Sequence, residues 1–124
     1  MADIALACRM TASKLRYGNF ETFKQSDDKN ASGDKQVPLD LMANQIFMDL
    51  AHNNGNIVAI ASEELEEIHY FENAPSGKYI LIIDPLDGSG NLDINAPVAT
   101  IFSICRNPSS LRPSQAEILE VART

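Results

Sequence analysis

Hydrophobic and polar positions change period several times along this chain, and each change marks an element. Over residues 4–17 the apolar side chains of Ile4, Ala7, Cys8 and Leu15 recur near helical spacing. Asp3 suits an N-cap and Gly18 a stop, which predicts a helix over 4–17. Across 24–36 the period disappears and Ser, Asp, Asn, Gly and Lys take over, the composition of a solvated loop. Pro38 then suits a first helical turn. Leu41, Met42, Ile46, Phe47, Met48 and Leu50 give a broad apolar face, so a second helix is expected over 38–52, ended by Asn53-Asn54-Gly55-Asn56.

The next runs are β-like. Ile57-Val58-Ala59-Ile60-Ala61 is short, β-branched and bounded by breakers, which predicts a buried strand. A shorter strand is expected over 68–71. Lys78-Tyr79-Ile80-Leu81-Ile82-Ile83 is the clearest strand of the chain. It enters after Pro75-Ser76-Gly77 and is expected to stop at Asp84-Pro85, because proline cannot donate to a ladder. Another strand is expected over 99–106. Beyond Asn107-Pro108 the chain turns polar, with a helical turn around 116–122. No internal repeat is visible. Helices and strands mixed in this order predict an α/β or α+β layered architecture, and 124 residues suit one domain.

Composition narrows the function. A hydrophobic content of 44% supports a core and 22% charged residues is ordinary for a soluble protein. No apolar run approaches the roughly 20 residues of a membrane span, and no cationic flank precedes an apolar segment at the start, so neither membrane nor secretory signal is expected. The net charge of −7 argues against nucleic acid as a partner, since no basic face drives counterion release. A phosphate-handling protein with this charge needs a local cation or backbone donors. Cys8 and Cys105 have neither metal-ligand spacing nor a Cys-x-x-Cys motif, and read as reduced thiols of a cytosol-like compartment. His52 and His69 stand alone and read as surface or satisfied histidines.

Chemistry concentrates at Asp84-Pro85-Leu86-Asp87-Gly88-Ser89-Gly90-Asn91-Leu92-Asp93. An apolar strand delivers two carboxylates three residues apart at its C-terminal tip, where ligands of sheet proteins with helical crossovers tend to bind. Pro85 and Gly88 are expected to force a turn that aims Asp84 and Asp87 at one point, with the Leu86 carbonyl between them. That all-oxygen set suits a hard cation such as magnesium. Gly88, Ser89 and Gly90 are small enough for backbone N–H groups to approach an anion. An isolated Asp-x-x-Asp-Gly is more often a surface turn, and an EF-hand fails on spacing: counted from Asp87, the sixth position is Leu92 and the twelfth Val98. The second acidic cluster changes the balance. Ala61-Ser62-Glu63-Glu64 directly follows the other strong strand. If the two strands are neighbours, four acids meet at one edge, an arrangement that repels itself unless cations neutralise it. Glu66 and Glu67 read as solvent-facing.

At these residues the chain resembles the magnesium-dependent, lithium-sensitive phosphatase superfamily, through Asp84-Pro85-Leu86-Asp87-Gly88-Ser89. Ala61-Ser62-Glu63-Glu64, Asn91-Leu92-Asp93 and Thr100-Ile101-Phe102-Ser103-Ile104 are similar to fructose-1,6-bisphosphatases, as are Gly33-Asp34, Leu39-Asp40 and Asn44. The resemblance implies a partial sugar-phosphatase fold, residues 1–124 being its N-terminal part, with two N-terminal helices packed on a mixed sheet. It implies magnesium (manganese or zinc as alternatives) held by Glu63, Asp84, Asp87 and the Leu86 carbonyl, with Asp34 as a further contact. Glu64 and Asp40 are implied to position and deprotonate the attacking water, and Asp87, Gly88, Ser89 and Gly90 to cradle the sugar 1-phosphate. Lys78 and Tyr79 fall where the family contacts the inhibitor AMP, and Tyr79 and Lys78 read equally well as an ordinary strand start.

Relatives usually carry a second serine where this chain has Gly90, which implies weakened phosphate binding. Ala96-Pro97 and Ala99 also depart from the usual pattern. The resemblance further implies a sugar bisphosphate substrate, a homotetramer when completed, and a cytoplasmic location, with a plastid as the alternative. It places a further glutamate ligand and the sugar pocket beyond Thr124, so the isolated chain is expected to be weak or inactive. Three readings stay open beside it: a sedoheptulose-bisphosphatase or inositol-phosphatase relative, a non-catalytic fragment that binds magnesium or full-length subunits, and an acidic domain with no site.

Overall fold

A computed structural model describes residues 1–17, 39–94 and 96–123. The expected Gly18 stop, the loop over 24–36 with Asp34, and Pro38 lie outside the described residues. Two helices open the described chain, α1 (Ala2–Tyr17) and α2 (Leu39–Asn54). Strands β1 (Ile57–Ser62), β2 (His69–Tyr70) and β3 (Tyr79–Asp87) follow, then a 3-10 turn (Ser89–Ile94), β4 (Ala99–Arg106) and helix α3 (Gln115–Ala122). The strands form one mixed sheet in the order β2-β1-β3-β4. β1 lies parallel to β3 in the centre, and β2 and β4 flank them antiparallel. The layered α+β architecture expected from the sequence is present.

The two faces of the sheet bury different sets. Ile60, Leu81 and Ile83 point to the face covered by α1 and α2, where they meet Ile4, Ala7, Phe47, Ala51, Phe71 and Ala74. Val58, Ala59 and Ile80 form a second cluster with Ile118 of α3, backed by Cys105 and Val121. Each fully buried Ile or Phe here contributes roughly 1.5–3 kcal/mol relative to leaving it in water. The β1–β3 pair therefore has apolar cover on both sides, which is why its sequence reads as continuous hydrophobic runs rather than an alternation.

Several sequence expectations need correction. Asp3 is not a cap: α1 starts at Ala2, and the Asp3 carboxylate accepts a hydrogen bond from Asn54 at the end of α2. α2 runs past His52 to Asn54 and stops where Gly55 takes φ 71, a left-handed conformation that glycine adopts without strain. Its buried face is Ala43, Asn44, Phe47 and Ala51, with Ile46, Met48 and Leu50 packed against the same core, while Leu41 stays exposed. Past Asn107 the polar stretch holds a full capped helix, α3, anchored on the sheet by Ile118 with Val121 packed beside it.

The correction that matters most for function is β3, which does not stop at Asp84-Pro85 but continues to Asp87. Asp84 pairs with Ile101 and Asp87 with Ala99, so Pro85 and Leu86 together stand opposite Thr100 alone. This is a β-bulge, one of the few places in a sheet where a missing proline N–H is harmless. The Thr100 hydroxyl donates to the Pro85 carbonyl at 3.0 Å and pins it.

Candidate functional site

The bulge decides where the two aspartates point. In a regular strand, residues three apart face opposite sides of the sheet. Here Asp84 and Asp87 pair with Ile101 and Ala99, which lie two apart on β4, so both aspartates belong to one face. The bulge does the work expected of a turn. Asp84 Oδ1 accepts from the Leu86 N–H at 3.1 Å, which orients its carboxylate along the bulge. Pro85 and Leu86 are buried beneath, so the backbone carrying both acids is anchored from below.

The neighbouring tip arrives in register. β1 and β3 pair as far as Ser62 with Ile83, and the Glu63 N–H then donates to the Ile83 carbonyl at 3.0 Å. Glu63 is thereby placed beside the residue that precedes Asp84. Beyond it the chain turns sharply, the Leu65 N–H closing back on the Ser62 carbonyl at 3.1 Å. Glu63 is exposed and Glu64 half-buried, facing the first turn of α2, where Asp40 sits half-buried.

Electrostatics ties these groups together. The Glu64 carboxyl is held above its ordinary range, first by burial and then by the charges of Asp40 and Glu63. A hydrogen bond to Glu63, open only to the protonated form, and the charge of Asp84 act in the same direction. Every neighbour acting on Glu64 apart from solvent loss is another acid. Asp40 adds a second sign of unmet demand: its Oδ1 is buried and has no hydrogen-bond partner among the described residues. Oxygen donors crowded in this way, with a buried carboxylate oxygen unpartnered, fit a hard divalent cation. Among the described residues, however, no three acids close to metal-ligating geometry.

Not every residue singled out in the sequence joins this corner. Asp87 shares a face with Asp84 but is exposed and is not among the groups acting on Glu64. Gly88 takes φ 79, which a glycine supplies without strain, and opens the 3-10 turn whose Asn91 N–H returns to the Gly88 carbonyl at 2.8 Å. The space around Gly90 is open, so nothing crowds that position into being glycine. Glu66 and Glu67 are exposed, as expected. Lys78 and Tyr79 lie at the other end of β3, Tyr79 roughly 17 Å from Asp84 along the strand. Tyr79 lines a cleft of about 300 Å³ there with Met1, Ile4, Asn54, Ile57 and Ile104. His52 and His69 both set their rings against Phe71, and both cysteines are free thiols.

Sequence reasoning named Thr100 and Ser62 only within runs similar to the family and gave neither a role. Thr100 pins the bulge, and Ser62 donates a buried hydrogen bond to Asn44 of α2 at 2.7 Å. A polar residue amid Ala43, Phe47 and Ala51 was the available signal for the second.

Known proteins share this chain's sequence pattern and fold. Residues 1–124 match the family model described as fructose-1-6-bisphosphatase, N-terminal domain. A class 1 fructose-1,6-bisphosphatase of Halorhodospira halophila (strain DSM 244 / SL1) is 39% identical over 121 residues, covering 95% of this chain and 36% of that protein. The class 1 enzyme of Hydrogenophilus thermoluteolus is 40% identical over 109 residues, covering 86% of this chain and 30% of its own. The chain thus spans about a third of the length of the curated relatives it matches. The crystal structure of the Leishmania major fructose-1,6-bisphosphatase in holo form superposes with a TM-score of 0.78 at 28% identity, over 100% of this chain and 39% of that one. The apo form of the same enzyme gives 0.73 at 24% identity, which speaks for the fold. No helix of the described residues is long and apolar enough to cross a membrane.

Proposed function

The chain belongs to the fructose-1,6-bisphosphatase family, and from that premise we propose that its acidic corner is the metal-binding half of a phosphatase site that hydrolyses the 1-phosphate of fructose 1,6-bisphosphate. The observation that carries the reading is the gathering of Asp40, Glu63 and Asp84 around Glu64, all raising its affinity for a proton, at the aligned tips of two parallel strands. Glu63, Asp84, Asp87 and the Leu86 carbonyl, with Asp34, are the groups that would hold magnesium, with manganese or zinc as alternatives. Bound there, the metal would neutralise phosphoryl oxygens and acidify a water.

The chain's own residues supply the remaining chemistry. Glu64, half-buried and reluctant to stay ionised, is suited to accept a proton from the attacking water, because a raised carboxyl lies nearer the operating pH. Asp40 faces it from α2 and orients that water. Asp87, Gly88, Ser89 and Gly90 form the phosphate cradle, in which Ser89 and Gly90 offer the first amides of a 3-10 turn, with no carbonyl one turn behind them to bond. At the far end of β3, Lys78 and Tyr79 are read as contacts of an AMP-like inhibitor, and the cleft there, lined by Tyr79 but not by Lys78, supports that reading for Tyr79. For a completed protein the reading extends to a cytoplasmic homotetramer acting on a sugar bisphosphate.

The test joins this chain to the remaining two thirds of the Halorhodospira halophila relative. Phosphate release is then measured from fructose 1,6-bisphosphate, sedoheptulose bisphosphate and inositol monophosphate. Turnover is expected with the fructose substrate, abolished by a chelator and restored by magnesium. Asp87→Ala should lower it by about a hundredfold or more, since charge stabilisation by a metal is worth several kcal/mol. Turnover indifferent to both the chelator and the substitution would remove the corner from the reaction.

A further inference from the structure

We propose that the buried Asn44–Ser62 hydrogen bond is a positioning contact for the acidic corner, setting Asp40 of α2 against the acids at the tip of β1. The inference rests on the reading of the corner given above, and concerns two residues to which that reading assigns no role. Ser62 Oγ donates to Asn44 Oδ1 at 2.7 Å, and both residues are buried. Their surroundings are apolar: Ala43 and Phe47 on the helix, Ile60 on the strand, Ile83 beside it. An apolar pair of the same shape could fill this seam with no polar group to satisfy. The polar pair adds direction, because a hydrogen bond constrains distance and angle where apolar contact tolerates sliding.

The location gives that constraint its use. Asn44 lies one helical turn after Asp40 on the same side of α2. Ser62 is the residue before Glu63 and Glu64, and it holds the turn they occupy. Its carbonyl accepts from the Leu65 N–H at 3.1 Å, and its hydroxyl oxygen lies 3.4 Å from the Glu64 N–H that donates to it. A single serine therefore donates to the helix carrying one acid and accepts from the turn carrying two others. Without it, the repulsion among Asp40, Glu63 and Glu64 would act on a helix and a turn joined at this seam by apolar contact.

The experiment compares Asn44→Ala, Ser62→Ala, the double variant and Ser62→Thr, which keeps the hydroxyl. Amide hydrogen exchange is followed in the 124-residue chain, and magnesium affinity is measured by calorimetry in the joined protein described above. A positioning contact predicts that each alanine variant speeds exchange at Glu63, Glu64 and Leu65 by tenfold or more relative to Leu81 and Ile82 of β3. It also predicts weaker magnesium binding by about tenfold, the scale of a lost supporting contact at a metal site. The double variant should do no more than either single one, and Ser62→Thr should restore both readings. If the threonine variant does not fold, the comparison of double with single variants carries the test. Uniformly faster exchange with unchanged magnesium affinity would reduce the pair to ordinary packing and overturn the inference. A parent protein that binds no magnesium would sink the reading of the corner alone. Exchange would still decide whether Asn44 and Ser62 hold it, by local loosening or by its absence.

Discussion

The corner around Glu64 and the start of α3 around Glu117 each hold a glutamate against several neighbours, but the neighbours are of opposite kind. Glu117 is surrounded by donors. Its carboxylate accepts from the Ser114 N–H and hydroxyl, each at 2.7 Å, and from the Ser109 hydroxyl at 2.8 Å. The Ser114 hydroxyl oxygen accepts in turn from the Glu117 N–H at 3.3 Å, which completes a capping box. These bonds hold the Glu117 carboxyl below its ordinary range, the Ser114 backbone N–H first among them. Glu64 meets burial and three other carboxylates, and is pushed the other way. A carboxylate that serves the fold is satisfied within the fold. One whose surroundings are all acidic has its complement elsewhere, and that difference separates a structural glutamate from a candidate for chemistry.

The largest test of the contrast is catalytic. In the joined protein, Glu64→Gln should lower turnover by about a hundredfold or more, the usual scale for a lost general base. Glu117→Gln should leave turnover within about twofold. Equal losses from both would erase the distinction. A smaller effect concerns the cap: Ser114→Ala removes one partner of the box and should reduce stability in urea unfolding by about 1 kcal/mol.

The smallest effect is in the pH dependence, where the two glutamates should differ in sign. A carboxyl raised in the fold opposes folding once pH rises through its folded pKa, and this opposition vanishes below the ordinary value of 4.5. Under chelator, Glu64→Gln should therefore stabilise the chain at neutral pH, by less than about 1 kcal/mol because the corner is partly solvated. The gain should fade as pH falls below 4.5. For Glu117 the order reverses. Its stabilisation is complete above 4.5 and is lost as pH falls through its lowered folded pKa. Glu117→Gln should be less stable than the parent at neutral pH, with the gap closing in acid. Unfolding curves between neutral and acidic pH measure both, and a gain from Glu64→Gln that persisted in acid would mean the acids around it are not its cause.

The contrast also explains what could be read ahead of the structure. Helix and strand positions were legible because the apolar residues that define the period are the ones the sheet buries, as at Ile60, Ile80 and Leu81. The acids at both strand tips were legible because two apolar runs each ended in a carboxylate pair, where one pair alone reads as a surface turn. The β3 boundary was not legible, since Pro85 is a strand breaker everywhere except at a bulge, and the bulge depends on Thr100 of another strand. Helix α3 was underestimated for a similar reason. Its anchors, Ile118 and Val121, are two apolar residues whose value depends on what lies beneath them.

By itself the sequence determined which residues carry charge, where the apolar runs lie and which family the motif resembles, because these are properties of local chemistry and order along the chain. Tertiary structure alone decided that Asp84 and Asp87 share a face, that Asp40 meets Glu64, and that Asn44 grips Ser62. Each of those depends on a partner far away in sequence. Such pairings arise only when strand register and helix seating bring the partners within hydrogen-bonding or Coulombic range.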